Sequence, residues 1–241
     1  MNLCAHIRGM GWVFSSSMGR PDRVQLSLSG DHFPELTGKS VLKNPYKPFG
    51  RMDNFSKMGF AAIAFAMDHA GISPSTTRDG VKKKRNIALI AGSETGCLET
   101  DLLYQATLSR AGGALPSPAL FAYTLPSCFL GEASIYFGLT GESYMVEEEN
   151  MTGLTPLSMA MDCLESGLYR AVVCGVCNSE LTKTDSPPGA LFLVLESIDN
   201  SDDNPGDPAV PVLTRSPGNK PLFHLGKREI KTLVDFFEYV F

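Results

Sequence analysis

Apolar positions along this chain switch between two spacings. Leu3 to Phe14 reads as a first strand, with Gly9 and Gly11 leaving room for a neighbour to pack closely. Asn86 to Ala91, Tyr169 to Val176 and Ala190 to Leu195 are short, nearly continuous apolar runs, the pattern of strands buried on both faces. Between them the spacing becomes helical. Phe55, Met58, Ala62, Ile63, Phe65, Ala66 and His69 share one face after an Asp53 N-cap, and Gly71 ends the run. Leu98 to Ser109 is helical up to Gly112-Gly113, and Leu130 to Phe137 forms another helix. Ser143 to Val146 is a strand. Leu154, Leu157, Met161 and Leu164 line a helix capped by Thr152 or Thr155 and stopped by Gly167. Residues 15–50, punctuated by Pro21, Pro34, Pro45 and Pro48, read as an irregular excursion, and Pro116 to Pro126 as a loop. Strands alternating with helices predict an α/β fold, a central mixed β-sheet with helices on its faces.

From residue 200 the composition changes to Asp, Asn, Pro, Ser and Gly. The expected organisation is a domain over 1–199, a linker over 200–221 and a C-terminal helix over 222–241. Ile230, Leu233, Phe236, Phe237 and Val240 fall on one side of that helix. A helix so short is marginal alone and must dock on its own domain or on a partner.

Composition narrows the function classes. The chain has 241 residues, 43% apolar and 20% charged, ordinary for a globular protein. A net charge of −5 argues against nucleic acid as a partner. The one basic cluster, Lys82-Lys83-Lys84-Arg85, reads as a solvated loop or as a patch for an acidic partner. No apolar run approaches the ~20 residues of a membrane span. The N-terminus lacks a signal-peptide pattern, so a cytoplasmic location is expected. Six cysteines, Cys4, Cys97, Cys128, Cys163, Cys174 and Cys177, fit reduced, mostly buried thiols. The lone Cys174–Cys177 pair has no partner set for zinc, so no metal and no cofactor are expected. His6, His32, His69 and His224 are assigned structural or solvent roles.

The stretch from Gly141 to Leu154 carries the chemistry. A strand meets a helix at a tight junction, which aims backbone N–H groups and the positive helix end at one side chain. A Cys there would be a nucleophile of lowered pKa. The stretch resembles the N-terminal half of a β-ketoacyl synthase, a condensing enzyme of thiolase-like fold. Arg51 to Lys57, Ile87 to Gly96, Thr124 to Ile135, Ala171 to Val176 and Ala190 to Glu196 resemble further segments of that family in the expected order. The resemblance puts Asn150 where the nucleophilic Cys belongs, so no residue of this chain is assigned as catalytic. It also puts the family's His donors in a second half, after the last matched strand, where about 45 residues remain.

The resemblance implies a subunit of the chain-length-factor type, which lacks the Cys and pairs with an active synthase. By that resemblance Ser143, Tyr144, Met145 and Val146 form an interface strand. Cys128 and Phe129 lie near the acyl pocket or the interface. A full-length β-ketoacyl synthase and an acyl carrier protein are the implied partners, in fatty acid, polyketide or aryl-polyene-like biosynthesis. Two alternatives stand beside this. One is a residual acyl-thioester enzyme (transacylase, hydrolase or decarboxylase) with Cys128 as a substitute nucleophile. The other is a scaffold module that dimerises to cover apolar surface left by half a fold. Glu147-Glu148-Glu149 reads either as a carboxylate site or as surface and cap electrostatics.

Overall fold

The computed structural model describes residues 3–26, 33–75, 83–109, 116–148, 152–179, 188–198, 211–218, 222–233 and 235–236. Among the described residues ten strands form one mixed sheet: eight follow the order β10 (Arg228–Ile230), β9 (Phe223–Leu225), β8 (Val212–Arg215), β1, β7, β6, β4, β5, and two more form a hairpin paired with β1. Its centre is β1 (Leu3–Phe14), β7 (Gly189–Ser197), β6 (Ala171–Asn178) and β4 (Ile87–Ser93). β4 pairs in parallel with β6 and with β5 (Ser143–Glu147), while β6, β7 and β1 are antiparallel in turn.

Alternation along the central strands sorts side chains onto two faces. Phe192 and Val194 join one core with Ala91, Val173 and Cys177, under α2 (Asn54–His69) and α5 (Cys128–Phe137). Leu191, Leu193 and Leu195 join the other with Ile90, Val172 and Cys174, under α6 (Leu154–Glu165). Asp53 caps α2 as the sequence predicts, its Oδ1 accepting from the Ser56 N–H at 3.0 Å. Helix α2 lies so close to β1 that a Cβ at Gly11 would sit 2.3 Å from the Ala66 nitrogen. His69, at the end of α2, accepts from the Met10 N–H at 3.1 Å, and burial lowers its pKa. His6 is buried in β1 and His224 is half-buried in a short strand; His32 lies outside the described residues.

The irregular excursion holds more order than its prolines suggest. Within it are a hairpin, β2 (Ser17–Arg20) and β3 (Arg23–Leu26), a one-turn helix α1 (Gly38–Val41) and a 3₁₀ turn over Lys47–Arg51. The next helix, α3, spans Leu98–Ser109 as predicted. The expected loop 116–126 contains α4 (Pro118–Phe121), capped by the Ser117 hydroxyl accepting from the Leu120 N–H at 3.3 Å.

The C-terminal expectations are corrected. The linker expected over 200–221 contains β8 (Val212–Arg215), which pairs antiparallel with β1. The expected helix over 222–241 opens as a hairpin, β9 (Phe223–Leu225) and β10 (Arg228–Ile230). The physical reason is tertiary. Phe223, Leu225, Ile230, Leu233 and Phe236 bury themselves in the α6-side core, and the backbone pairs with the free edge beyond β1. Arg215 fastens this extension to α6, donating to Asp162 Oδ1 at 2.5 Å and to the Ser158 carbonyl at 3.1 Å. The outward side of α6 therefore carries Asp162 and Glu165 rather than bare apolar surface.

Candidate functional site

Strands β4, β5 and β6 run parallel, so their C-terminal ends gather Ser93, Glu147 and Asn178 on one side of the sheet. Here the chain turns from β5 into α6. Asn150, with Glu149 and Met151, lies outside the described residues. Glu148 is 3% exposed, and its N–H donates to the Ser93 carbonyl at 3.2 Å. Its Oε1 accepts from the Thr152 hydroxyl at 2.8 Å and from the Thr155 N–H at 3.2 Å. Thr152 Oγ1 in turn accepts from the Leu154 N–H at 3.3 Å. The cap position itself is Gly153, at φ 73°. The capping expected of Thr152 or Thr155 is thus shared between the Thr152 hydroxyl and a carboxylate from the end of β5. Gly92 makes the room, since a Cβ there would stand 2.6 Å from Glu148 Oε2. Leu233 covers the turn from outside. Its N–H donates to the Thr152 carbonyl at 2.6 Å, and its side chain presses against Gly153.

The second region surrounds the start of α5. Cys128 opens the helix half-buried, its thiol donating to the Ala122 carbonyl at 3.2 Å. Burial pushes that thiol up, and Asp53 and Glu132 push it further, against a lowering backbone hydrogen bond at Leu125. Helix-terminal placement therefore does not make Cys128 a ready thiolate. Phe129 is fully buried, in edge-on contact with Phe55 at 5.6 Å and Phe192 at 6.1 Å. Its ring points into the chain's own core. The outward residues of α5 are Gly131 and Ile135, the latter 68% exposed. With Arg51, Ala122, Cys128 and Glu132 they line an open groove of about 710 Å³. Phe121 and Leu125, close to it in sequence, are 62% and 64% exposed. Tyr104 of α3 contacts Phe121 at 5.5 Å, joining α3, with its exposed Leu102 and Leu103, to this apolar side.

The third element is β5. It is an outer strand of the sheet, hydrogen-bonded only to β4 among the described residues. Ser143 and Tyr144 are exposed, while Met145 and Val146 are half-buried, Met145 against the α5-side core. Tyr144 donates to Glu142 Oε2 at 2.6 Å, which pushes its phenol up to about 12.

The profile of one known family, described as Beta-ketoacyl synthase, N-terminal domain, matches residues 39–186, more than half of the chain. The chain belongs to that family. The matched part of this ketoacyl-synthase chain contains α2, β4, α5, β5, the turn into α6, and β6. Solved structures share its fold, a mixed α/β thiolase-like architecture. A chain titled the ishigamide ketosynthase/chain length factor aligns with a TM-score of 0.62 at 17% identity, over 83% of this chain and 59% of that one. A chain of a ketosynthase (ApeO) in complex with its chain length factor (ApeC) from Xenorhabdus doucetiae aligns at 0.58 and 16%, over 81% and 79%. A chain of AntDE:AntF, a type II acyl-carrier protein with its ketosynthase, aligns at 0.58 and 16%, over 82% and 64%. This chain thus spans 59% and 64% of the first and third of those chains. No curated protein sequence matches it.

Sequence reasoning placed the turn but missed who occupies it. Glu147 is exposed on β5 while Glu148, one residue past its end, turns inward. Nothing local marked Leu233 as a neighbour of Gly153.

Proposed function

We propose that this ketoacyl-synthase chain is a non-catalytic subunit of the chain-length-factor type, pairing with an active condensing enzyme. The observation that carries the reading is Asn150, standing where the family resemblance requires a thiol. Covalent capture needs a nucleophile that forms a thioester, and a carboxamide does not. The outer strand β5 supports the pairing, because an unpaired row of N–H and C=O groups invites another strand. The exposed apolar side of α3, α4 and α5 supports it too, being the kind of surface that protein partners cover. The likeness to a chain of a ketosynthase–chain length factor complex adds a third support. In this reading the groove beside Cys128 and Ile135 forms part of the wall that an acyl chain of the partner meets. An acyl carrier protein delivers that chain, in a polyketide, fatty acid or aryl-polyene-like pathway of the cytoplasm. Among the described residues no helix is long and apolar enough to cross a membrane.

Co-expression with a full-length synthase and its carrier protein tests the reading. A stable heterodimer is expected by size exclusion with light scattering. Ile135→Glu is expected to abolish it while changing stability by no more than about 0.5 kcal/mol, as for a surface site. A synthase that neither co-purifies nor changes its products in the presence of this chain refutes the proposal. Intact-mass spectrometry after incubation with an acyl thioester probes the enzymatic alternative. A stoichiometric adduct lost in Cys128→Ala would decide for that alternative.

A further inference from the structure

Of the basic cluster Lys82 to Arg85, Lys82 lies outside the described residues, and Arg85 turns inward, donating to the Phe137 carbonyl at 2.5 Å. Lys83 and Lys84 stay exposed and line a cleft of about 370 Å³ with Asn44, Pro74 and Tyr136. Their backbone is anchored. The Lys83 N–H donates to the Ser75 carbonyl at 2.9 Å, and the Arg85 N–H to the Gly138 carbonyl at 2.8 Å. Gly138, at φ 68°, allows this approach, since a Cβ there would collide with the Lys83 carbonyl. A second cleft, of about 140 Å³, lies among Arg20, Arg23, Lys39 and Lys43. Arg20 reaches Asp68 at 2.5 Å and Asp22 at 2.9 Å, and Lys43 shares Asp68. Arg23 and Lys39, like Lys83 and Lys84, have no carboxylate partner among the described residues. The two clefts are joined. A depression floored by Leu42, Ile72, Pro74 and Tyr136 shares Pro74 and Tyr136 with the first, and Leu42 and Lys43 with the second. Two basic ends thus flank an apolar middle, in a chain whose net charge is −5.

We propose that this face docks an acidic segment of a partner protein, an amphipathic helix with carboxylates toward both ends and apolar side chains between them. Its carboxylates pair with Lys83 and Lys84 at one end and with Arg23 and Lys39 at the other, while its apolar residues cover Leu42 and Ile72. A helix laid along a groove is a recurrent mode of recognition, and complementary charge speeds the encounter and fixes its direction. The apolar middle favours a protein over a nucleic acid, and so does the overall negative charge, which repels a long polyanion. The face uses neither β5 nor Cys128, and it meets the groove beside Cys128 only at Ile135, which lines both. It therefore goes beyond the pairing with a synthase.

The test measures fluorescence anisotropy of labelled helical peptides against the full chain. The peptides carry paired glutamates at each end and leucines between, in a series of spacings. The best-spaced peptide is expected to bind, and to bind more weakly as salt is raised. Lys83→Glu with Lys84→Glu should weaken it at least about tenfold, and Arg23→Glu with Lys39→Glu should do the same. A protein reversed at both ends should instead take the matching peptide with lysines in place of glutamates. All four residues are exposed, and thermal unfolding confirms that each variant is folded; Gln replacements serve where a reversal is not. Three results overturn the proposal: no peptide of the series binds at low salt, either reversal leaves the affinity unchanged, or a DNA duplex of equal charge binds more tightly than the peptide.

Discussion

Gly59 and Phe129 offer a prediction in which the sign of a mutation depends on its neighbour. Gly59 lies inside α2, where alanine ordinarily gains about 1 kcal/mol over glycine. Here the Phe129 ring rests on it, and a Cβ at Gly59 would stand 2.7 Å from Phe129 Cδ2. Neither group has room to move, since Phe129 is wedged between Phe55 and Phe192 and is fully buried. Gly59→Ala therefore carries an overpacking cost of roughly 1–3 kcal/mol, which outweighs the helix gain. Phe129→Ala alone should cost roughly 3–5 kcal/mol through lost burial and the cavity left behind. In the Phe129→Ala background the clash is gone, and adding Gly59→Ala should stabilise by about 1 kcal/mol. The coupling between the two sites is then about 1–3 kcal/mol, measured by urea unfolding midpoints at constant slope over the four proteins. Equal effects of Gly59→Ala in both backgrounds would refute the packing argument. A Phe129→Ala protein of unchanged stability that lengthens a partner's products would return Phe129 to the acyl pocket.

Two further outcomes follow from the same structure. Gly92→Ala brings a methyl group to 2.6 Å from Glu148 Oε2 and 3.2 Å from Pro156 Cγ, so it should cost about 1–3 kcal/mol in thermal or urea unfolding. A neutral result would show that Glu148 does not lie over that position. Stability should also fall as pH rises above the ordinary thiol range. Burial, with Asp101 beside it, pushes the Cys97 thiol up to about 12. The unfolded chain sheds that proton near pH 9 while the folded protein keeps it, so folding loses ground between about pH 9 and 12. Cys97→Ala should flatten the alkaline limb of a stability-against-pH curve, and an unchanged slope would count against this assignment.

Periodicity and turn chemistry made the central layers legible. The apolar runs in β4, β6 and β7 and the 3.6-residue face of α2 are set by which sides are buried, and burial is written locally in residue type. The capped start at Asp53 was legible for the same reason. The stretch from residue 200 onward was not. Polar composition around residues 200–221 signalled a tether, yet Val212 to Arg215 take their conformation from hydrogen bonds to β1, far away in sequence. Ile230, Leu233 and Phe236 fit a helical stripe on paper, but Ile230 reaches the core from a hairpin that pairs onto β8, with Leu233 and Phe236 following it. Phe129 shows the limit for single side chains. The family resemblance located its helix, and only packing against Gly59 and Phe192 decides which way it points. At the turn into α6 the acidic run was visible, while the fate of its middle member depended on Gly92, on the neighbouring strand but more than 50 residues away in sequence.

The pairing of β1 with β8 has a bearing on how the chain is made. Cys4 and Thr214 sit side by side although 210 residues separate them. At ribosomal speeds of 5–20 residues per second, the first strand is synthesised roughly 10–40 s before its last neighbour emerges. Through that interval Leu3 to His6 lack the neighbour they have on this edge in the folded sheet. The N-terminal end of β1 therefore completes its pairing only once sequence some 210 residues downstream is available.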